Sequence, residues 1–312
     1  NHVRPIVRSN RGLNTNLDLD NGHQDGFIAW SNAVEYAKIV NNHCENCLTG
    51  FGSIDGGTND NTVIALNTIK LARLYGAHIG SDASNTKVAH NWFLDCNTAS
   101  DRGGLFIESW AGTKLDINNN QFDNCAVYIT QSTGSSQFAV NDNQINGNVV
   151  LFGCREGEFR GNRIKGRLYF GTLTNFNIDD NKVDLRGNTT EYALRVNWGA
   201  NDNVKVRRNT VIGGARGLYA INSDSNGVQF IGNDFEDQET YAVFIEATTG
   251  LDDLYISGGT IKPGPNSIAN WIGLRLHSPD TKVMGVDIIN DTATSRNIGA
   301  YFAGSNHATS KI

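Results

Sequence analysis

Proline is scarce in this chain, since its 312 residues include 4 prolines but 34 glycines. Proline has no amide hydrogen to donate to a neighbouring strand, so its scarcity leaves room for many fully paired strands. Glycine readily adopts the positive φ angles that tight turns between short strands require. The composition therefore favours short strands joined by tight turns.

The chain also lacks a basic segment and a long apolar run. Its formal net charge is −6 and its pI is about 5.6, which argues against nucleic acid as a partner. No apolar stretch has the length that spans a membrane, and no signal peptide opens the sequence, so we predict no membrane insertion. The sequence begins at Asn1 and ends at Lys311-Ile312, and we interpret it as a processed or excised piece of a longer polypeptide.

A short sequence motif, Asn-x-(Ile/Phe/Val), recurs along the chain every 19 to 29 residues. Its clear copies begin at Asn67, Asn91, Asn120, Asn143, Asn162, Asn181, Asn209 and Asn233. Weaker copies begin at Asn42, Gly259 and Val286. A fixed polar mark with a period in the twenties is typical of a solenoid, whose coils contact only their neighbours. The sequence of each coil favours short β-strands, which indicates a parallel β-helix.

One coil, residues 228–247, shows how the pattern is built. Two short apolar strands flank Asn233, and a loop leads to a third strand on which Val243 and Ile245 face inward by two-residue alternation. Asparagine tolerates left-handed φ and bonds the backbone locally, so we predict that Asn233 turns the corner. Stacked on the asparagine of the next coil, it can also form a side-chain ladder.

The sequence therefore predicts an all-β fold, a right-handed, single-stranded parallel β-helix of about eleven coils. We expect a single domain over residues 1–312, with less regular initial coils over residues 1–60. Within those initial coils we predict a strand over Gly26 to Trp30 and a loop over Gly50 to Asn61.

The five cysteines fit the core of such coils. Cys47, Cys96 and Cys125 each follow a marker asparagine by five residues, and Cys44 takes an inward position. Cys154 has no counterpart in the other coils. Free cysteine packs as a small buried hydrophobe, so we expect thiols, although Cys96 and Cys125 in neighbouring coils are within disulfide reach. Cys44-x-x-Cys47 has no second pair at zinc spacing, so no metal site is predicted.

Alternation on the third strands separates an inward from an outward side. The inward pairs are Leu105/Ile107, Val127/Ile129, Val150/Phe152, Leu168/Phe170, Leu194/Val196, Leu218/Ala220, Val243/Ile245, Leu274/Leu276 and Ala300/Phe302. A slip by one residue would turn each pair outward, so the apolar character of every pair supports this register. We predict that Ile129, Phe152, Phe170, Val196 and Ile245 are buried and stacked in sequence order.

The outward residues form a strip of aromatic side chains with arginines among them. The predicted substrate-binding residues on it are Glu108, Tyr128, Tyr169, Arg195, Tyr219, Phe244 and Arg275. Aromatic faces pack against the C–H faces of sugar rings, and arginine offers a planar fork to carboxylates or hydroxyls. Strands about 4.8 Å apart give a long groove, which suits a linear polymer. The alternative is a strip covered by loops or by another subunit.

Acidic and histidine side chains near this strip are the catalytic candidates. Glu246 and His277 occupy one outward column on consecutive coils, where they are placed to act as an acid/base pair. Glycoside hydrolysis usually needs a second carboxylate, and four loop residues are close enough in sequence to supply it: Asp237, Glu239, Asp252 and Asp253. The alternative for each loop carboxylate is an ordinary solvated charge.

Over residues 30 to 305 the Asn-x-Ile coils resemble the pectate-lyase-like superfamily of right-handed β-helices. That group includes pectate lyases, polygalacturonases, alginate epimerases and bacteriophage tailspikes. The Trp-Ile-Asp-His stretch of the first, the Asn-Thr-Asp and Gly-His-Gly signatures of the second and the Asp-Pro-His-Asp of the third are absent. His277-Ser278-Pro279-Asp280 has a different order from the epimerase motif. The chain is therefore most similar to a tailspike or a related polysaccharide depolymerase.

This resemblance implies a homotrimer that acts on a bacterial surface polysaccharide, capsule or O-antigen, without a cofactor in its hydrolase members. It also implies a secreted protein or one on the surface of a virion. Three functions stay open: a tailspike-type glycoside hydrolase that uses Glu246, a lyase, and a glycan-binding spike or adhesin without catalysis. In the lyase, Arg195 or Arg275 neutralises a uronate carboxylate while His277 or a tyrosine abstracts the proton.

Overall fold

The structure, a computed structural model, describes residues 6–13, 28–31, 36–54, 61–80, 84–99, 102–131, 137–197, 201–221, 225–246, 251–252, 254–268, 270–277, 281–289 and 298–302. All 38 elements described are β-strands, and the fold is a parallel β-solenoid of about nine turns. This confirms the predicted fold class. The number of turns is smaller than the about eleven coils obtained by counting every copy of the motif as a coil.

The chain divides into two compact units, Asn1–Glu158 and Phe159–Ile312. Strand β19 (Arg155–Arg160) contains the boundary between them. The interpretation of residues 1–312 as one domain stays a prediction.

Unit 1 repeats three short strands per turn. In chain order they are β1 (Ile6–Arg8), β2 (Arg11–Leu13), β3 (Ile28–Ser31), β4 (Lys38–Val40), β5 (His43–Glu45), β6 (Thr49–Ile54), β7 (Val63–Ala65), β8 (Thr68–Lys70), β9 (Tyr75–Ile79), β10 (Thr86–Ala89), β11 (Trp92–Leu94), β12 (Leu105–Trp110), β13 (Leu115–Asn118), β14 (Gln121–Asp123), β15 (Val127–Gln131), β16 (Phe138–Asn141), β17 (Gln144–Asn146) and β18 (Val149–Phe152). Every third strand belongs to the same sheet, so the first sheet starts at β1, the second at β2 and the third at β3.

Unit 2 continues the repeat with two additional short strands. In chain order its strands are β20 (Arg163–Ile164), β21 (Leu168–Gly171), β22 (Thr174–Asp179), β23 (Lys182–Leu185), β24 (Tyr192–Asn197), β25 (Asp202–Arg207), β26 (Thr210–Gly213), β27 (Arg216–Ile221), β28 (Ser225–Asn226), β29 (Gln229–Ile231), β30 (Asp234–Glu236), β31 (Tyr241–Glu246), β32 (Leu251–Asp252), β33 (Tyr255–Ser257), β34 (Thr260–Lys262), β35 (Ile272–His277), β36 (Lys282–Met284), β37 (Asp287–Ile288) and β38 (Ile298–Phe302). Its third sheet has the order β21-β24-β27-β31-β35-β38, and β28 and β32 pair beside the first sheet.

The initial coils differ from the prediction in one place. Strand β3 overlaps the strand predicted over Gly26 to Trp30. The loop predicted to begin at Gly50 is wrong for its first residues, because they belong to β6, which pairs with β9. Phe51 on that strand is fully buried, and burial of its ring against the core holds the segment in the sheet.

The marker asparagines form the predicted ladders at one corner. In unit 1 the ladder runs Asn42, Asn67, Asn91, Asn120 and Asn143, and in unit 2 it runs Asn162, Asn181, Asn209 and Asn233. Within each ladder, every asparagine before the last donates both its backbone N–H and its side-chain N–H to Oδ1 of the next, and in unit 2 the two kinds of bond are 2.9–3.0 Å long. All nine side chains are buried. This confirms their stacking.

The left-handed backbone at that corner lies one residue before the marker, not on it as the sequence suggests. The residues with positive φ are Asn41, Leu66, His90, Asn119 and Asp142 in unit 1, and Gly161, Asp180, Arg208 and Gly232 in unit 2. The marker must point its amide into the ladder, so the preceding residue makes the turn. At Leu66, His90 and Arg208 this conformation costs of the order of 1 kcal/mol because their Cβ atoms crowd the carbonyl.

The core prediction holds for four of its five residues. Ile129, Phe170, Val196 and Ile245 are buried as predicted. Phe152 is not, because β18 pairs with β15 in the register Val127 to Val149 and Ile129 to Leu151. Val149 and Leu151 are therefore the inward residues, and Phe152 lies half-buried on the outward side.

The cysteines divide into a bridged pair and three thiols. Cys44 and Cys47 form a disulfide, which contradicts the prediction of thiols there; their Cα atoms are 6.6 Å apart, within bonding range. The inward strand position and the following corner bring both side chains into the core. Cys96, Cys125 and Cys154 are free and buried, as predicted. Burial raises the pKa of the Cys154 thiol, so it is a poor nucleophile.

Candidate functional site

Five of the predicted substrate-binding residues lie side by side on the outward face of the third sheet of unit 2. Tyr169, Arg195, Tyr219, Phe244 and Arg275 are paired in register on five consecutive strands, β21, β24, β27, β31 and β35. Tyr219 and Phe244 are 8% and 4% exposed, and the other three are half-buried. We call this row, together with the adjacent column described next, the unit 2 strip.

A second column of the unit 2 strip begins the same strands. It consists of Tyr192, Arg216 and Tyr241, which are paired in register on β24, β27 and β31. Alternation misses this column, because two consecutive residues, Ala193 and Leu194, are both buried between Tyr192 and the next outward side chain. The signal that reveals it is the aromatic or arginine residue three positions before Arg195, Tyr219 and Phe244.

Guanidinium groups and aromatic rings interleave across the two columns. Cζ of Arg216 lies 4.5 Å from the ring centroid of Tyr219 and 4.6 Å from that of Phe244. Arg275 lies 4.6 Å from the Phe244 centroid, and its Nη1–H donates to the Tyr241 hydroxyl at 2.8 Å. Each cation–π contact contributes about 0.5–2 kcal/mol, depending on how far it is removed from water. The contacts hold the side chains of the strip in place before any ligand binds.

The charges of the strip are not all neutralised. Within the described ranges, neither Arg216 nor Arg275 forms an ion pair with a carboxylate. Burial raises the pKa of Tyr219, so its hydroxyl stays protonated at neutral pH and can donate a hydrogen bond. The strip therefore presents apolar ring surface together with positive charge.

The structure places Glu246 and His277 next to each other at one end of this strip. They are the last residues of β31 and β35, are paired in register and are both half-buried. Each lies two residues beyond Phe244 or Arg275 on its strand, which is about 6.6 Å along the sheet. A carboxylate and an imidazole at neighbouring outward positions are suited to proton transfer to or from a ligand on the strip.

The predicted loop carboxylates are not brought to that end. Asp237 is 7% exposed and accepts hydrogen bonds from Asn266, at 2.8 Å from the backbone N–H and 2.7 Å from Nδ2. These bonds hold the loop between β34 and β35, which contains Asn266. Asp237 and Glu239 precede β31, whereas Glu246 ends it, so roughly 16 Å of strand separates them. Asp252 is the last residue of the short strand β32, so its prediction as a loop residue is wrong, and Asp253 lies outside the described residues.

The other two predicted binding residues, Glu108 and Tyr128, belong to a cluster on the third sheet of unit 1. The unit 1 cluster consists of Tyr75, His78, Arg102, Phe106, Glu108 and Tyr128. His78, Phe106 and Tyr128 are paired in register on β9, β12 and β15. The prediction that one groove contains all seven binding residues spans both units and stays a prediction.

Rings and charges in the unit 1 cluster are in direct contact. The imidazole of His78 stacks on Phe106 with ring centroids 5.1 Å apart, and its Nε2 lies 3.7 Å from Oε2 of Glu108. The Glu108 side chain is 54% exposed, whereas that of His78 is 5% exposed. Arg102 lies over Phe106 at 4.8 Å and over Tyr128 at 4.9 Å. The sequence analysis missed Tyr75, His78 and Arg102, because the third strands that it predicted start with the Leu105/Ile107 pair.

The described part of the chain contains no group of three or more His, Cys, Asp or Glu side chains that would hold a metal ion. Within these residues no helix has the length and apolar character to cross a membrane.

Comparison with solved structures identifies similar folds. The A-module of the mannuronan C-5 epimerase AlgE4 from Azotobacter vinelandii matches with a TM-score of 0.69 and 11% identity, covering 98% of this chain and 90% of that chain. The AlgE6 A-module of the same organism has a TM-score of 0.59 and 12% identity, covering 96% of this chain and 90% of that chain. Tailspike protein 3 of bacteriophage CBA120 covers 89% of this chain and 51% of its own length, with a TM-score of 0.35 and 12% identity.

The likeness to the two epimerase modules confirms the resemblance to right-handed parallel β-helix proteins, and at 11–12% identity it shows the fold alone. No protein-family model matches the sequence, and no curated protein matches it either.

Proposed function

We propose that this protein binds a linear polysaccharide along the unit 2 strip and cleaves it as a tailspike-type glycoside hydrolase. The observation that carries the proposal is the in-register row of Tyr169, Arg195, Tyr219, Phe244 and Arg275. Aromatic faces stack on sugar rings, while guanidinium groups bond hydroxyls or carboxylates. A row that repeats about every 4.8 Å suits a polymer, because successive sugar units meet successive strands.

Glu246 is the proposed proton donor of the hydrolysis, and His277 lies beside it at the paired position of the next strand in the sheet. The polymer bound along the strip reaches both side chains at the end of their strands. Asp253 is the proposed second carboxylate. Asp237 and Glu239 are proposed with lower priority, because their position before β31 separates them from Glu246.

A lyase is the second candidate, and it is favoured by the charge of Arg216 and Arg275, which no carboxylate of the described residues neutralises. Arginine recognises carboxylates through paired hydrogen bonds, so these residues would bind a uronate and lower the barrier to removing its C5 proton. His277, two residues from Arg275, is the proposed base. A glycan-binding spike or adhesin without catalysis would use the same strip and is the third candidate.

Replacing Glu246 with glutamine should lower turnover by at least about 10²-fold and leave polymer binding intact, since the amide keeps the shape but not the proton. The assay is release of reducing ends from a panel of bacterial capsule and O-antigen preparations. Glu236→Gln, an exposed glutamate on the second sheet, is the matched control and should cleave at the wild-type rate. The same reactions are read at near-ultraviolet wavelengths, where only an unsaturated lyase product absorbs.

The outcomes separate the candidates. Hydrolysis gives reducing ends without ultraviolet absorbance, and His277→Ala then has a smaller effect than Glu246→Gln. A lyase gives both signals, and His277→Ala costs at least about 10²-fold. Cleavage at the wild-type rate by both variants would reject Glu246 and His277 as the catalytic site. Binding of a polymer that is not shortened would favour the third candidate, an adhesin without catalysis.

The family resemblance also leads us to propose a homotrimer that is secreted or carried on a virion surface. A solenoid has open sheet ends and apolar flanks, which favour association. Light scattering should give three times the chain mass of 34.0 kDa, and a monomer would contradict the proposal for this chain.

A further inference from the structure

We propose that the unit 1 cluster is a binding site of its own, for one neutral pyranose residue of a saccharide. The proposal rests on contacts within unit 1 alone and does not depend on cleavage at the unit 2 strip. It assigns the sugar-bonding role to the Glu108 carboxylate and the stacking role to Tyr128.

The cluster has a rigid base and an accessible rim. Phe106 is 2% exposed and His78 is 4% exposed, and their stacked rings form the base. Tyr75 packs on Phe106 with centroids 4.9 Å apart, and it is half-buried, as is Tyr128. A half-buried ring held by neighbours keeps part of its face available without losing rotamer freedom on binding, which favours stacking of a sugar ring.

Glu108 supplies the directional contact beside that ring. It lies two residues after Phe106 on β12, so it is on the same side of the sheet, about 6.6 Å along the strand. Its carboxylate is exposed, yet its Oε2 is 3.7 Å from a nearly buried imidazole nitrogen. His78 therefore limits where the carboxylate can move, and the remaining lone pairs of Glu108 face solvent. A carboxylate accepts hydrogen bonds from two neighbouring hydroxyls of a pyranose.

The charge of the cluster indicates a neutral sugar. Arg102 and Glu108 carry opposite charges and cancel, whereas Arg216 and Arg275 of the unit 2 strip have no described carboxylate partner. An exposed carboxylate also repels an acidic sugar at contact distance. The cluster therefore differs in preference from the unit 2 strip.

Unit 1 contains a second histidine–glutamate pair, which serves as a control because it lacks the aromatic rings that surround His78 and Glu108. His43 Nε2 lies 3.6 Å from Glu45 Oε2 on the second sheet, and Lys70 bonds the same glutamate at 3.1 Å. Lys70 and His43 hold the pKa of Glu45 below its usual range. No described aromatic ring stacks on His43, so this pair tests whether a histidine–glutamate contact alone binds sugar.

The experiment is NMR of the full chain with ¹³C-labelled histidine side chains, titrated with maltohexaose, cellohexaose and chitohexaose to about 10 mM, the range of weak single-residue sites. His78 reports on the unit 1 cluster and His277 on the unit 2 strip, so failure of one site is distinguished from failure of the other. At least one hexasaccharide should shift the His78 resonance. Glu108→Gln and Tyr128→Leu should each weaken that binding by about tenfold or more, and Glu45→Gln should change it less than about twofold.

Two results would overturn the proposal. One is an unchanged His78 resonance with all three hexasaccharides. The other is wild-type affinity in Glu108→Gln, with thermal unfolding confirming that the variant is folded.

Discussion

Replacing Asn209 with alanine should lower the free energy of unfolding by about 3–5 kcal/mol. The side chain is 1% exposed and its Nδ2–H groups donate to Asn233 Oδ1 at 2.9 Å and to the Ile178 carbonyl at 2.8 Å. Its Oδ1 accepts from the backbone and side-chain N–H groups of Asn181, both at 2.9 Å. In the variant the backbone N–H of Asn181 loses its acceptor, whereas Asn233 Oδ1 keeps its bond from the Asn209 backbone N–H and Asn181 Nδ2 keeps its bond to the Phe159 carbonyl. An orphaned buried donor costs about 1–3 kcal/mol, and the other lost bonds add to it.

Denaturant unfolding followed by circular dichroism measures this loss as a lower midpoint with an unchanged slope. Asn226→Ala is the control, because Asn226 is exposed on the short strand β28, and it should cost less than about 0.5 kcal/mol. If Asn209→Ala also costs less than about 1 kcal/mol, the ladder bonds do not stabilise the folded state over the hydrated chain.

Replacing Phe170 with alanine should cost about 3–5 kcal/mol as well, through a different mechanism. Phe170 is fully buried on β21, where it pairs in register with Val196 of the next strand. Removing the ring loses its transfer free energy and leaves a cavity, and a strand fixed by its parallel ladder with β24 cannot move to close it.

The comparison for Phe170→Ala is Met284→Ala in the same unit. Met284 is 56% exposed, so truncation removes little buried area and should cost less than about 0.5 kcal/mol. Equal midpoints for the two variants would mean that the third-sheet core of unit 2 is not packed as described.

The sequence was sufficient for the repeat, because the asparagine mark and the two-residue alternation arise from the coil itself. It was insufficient for the register of β18. Val149, Val150, Leu151 and Phe152 are four apolar residues in a row, so either alternation satisfies the core. The pairing of β18 with β15 decides which of the two alternations faces the core. That pairing joins residues far apart in sequence, so the local pattern cannot reveal it.

The candidate sites were predicted in part for a similar reason. The first column of the unit 2 strip follows from alternation, whereas Tyr192 and Arg216 begin strands after a corner where alternation does not apply. His78 is one of seven histidines, and nothing local marks it as the partner of Glu108 on the next third strand. Asp237 reads as a free loop carboxylate until its bonds to Asn266 are seen.

The asparagine ladder of unit 2 keeps its geometry while the segments between its corners vary in length. Its bonds stay at 2.9–3.0 Å while successive asparagines are 19, 28 and 24 residues apart. Lengthening a loop raises its closure entropy only slowly, so insertions between corners are tolerated while the corners keep their joints. A solenoid held by such joints therefore leaves its surface segments free to change in sequence and length without loss of the fold.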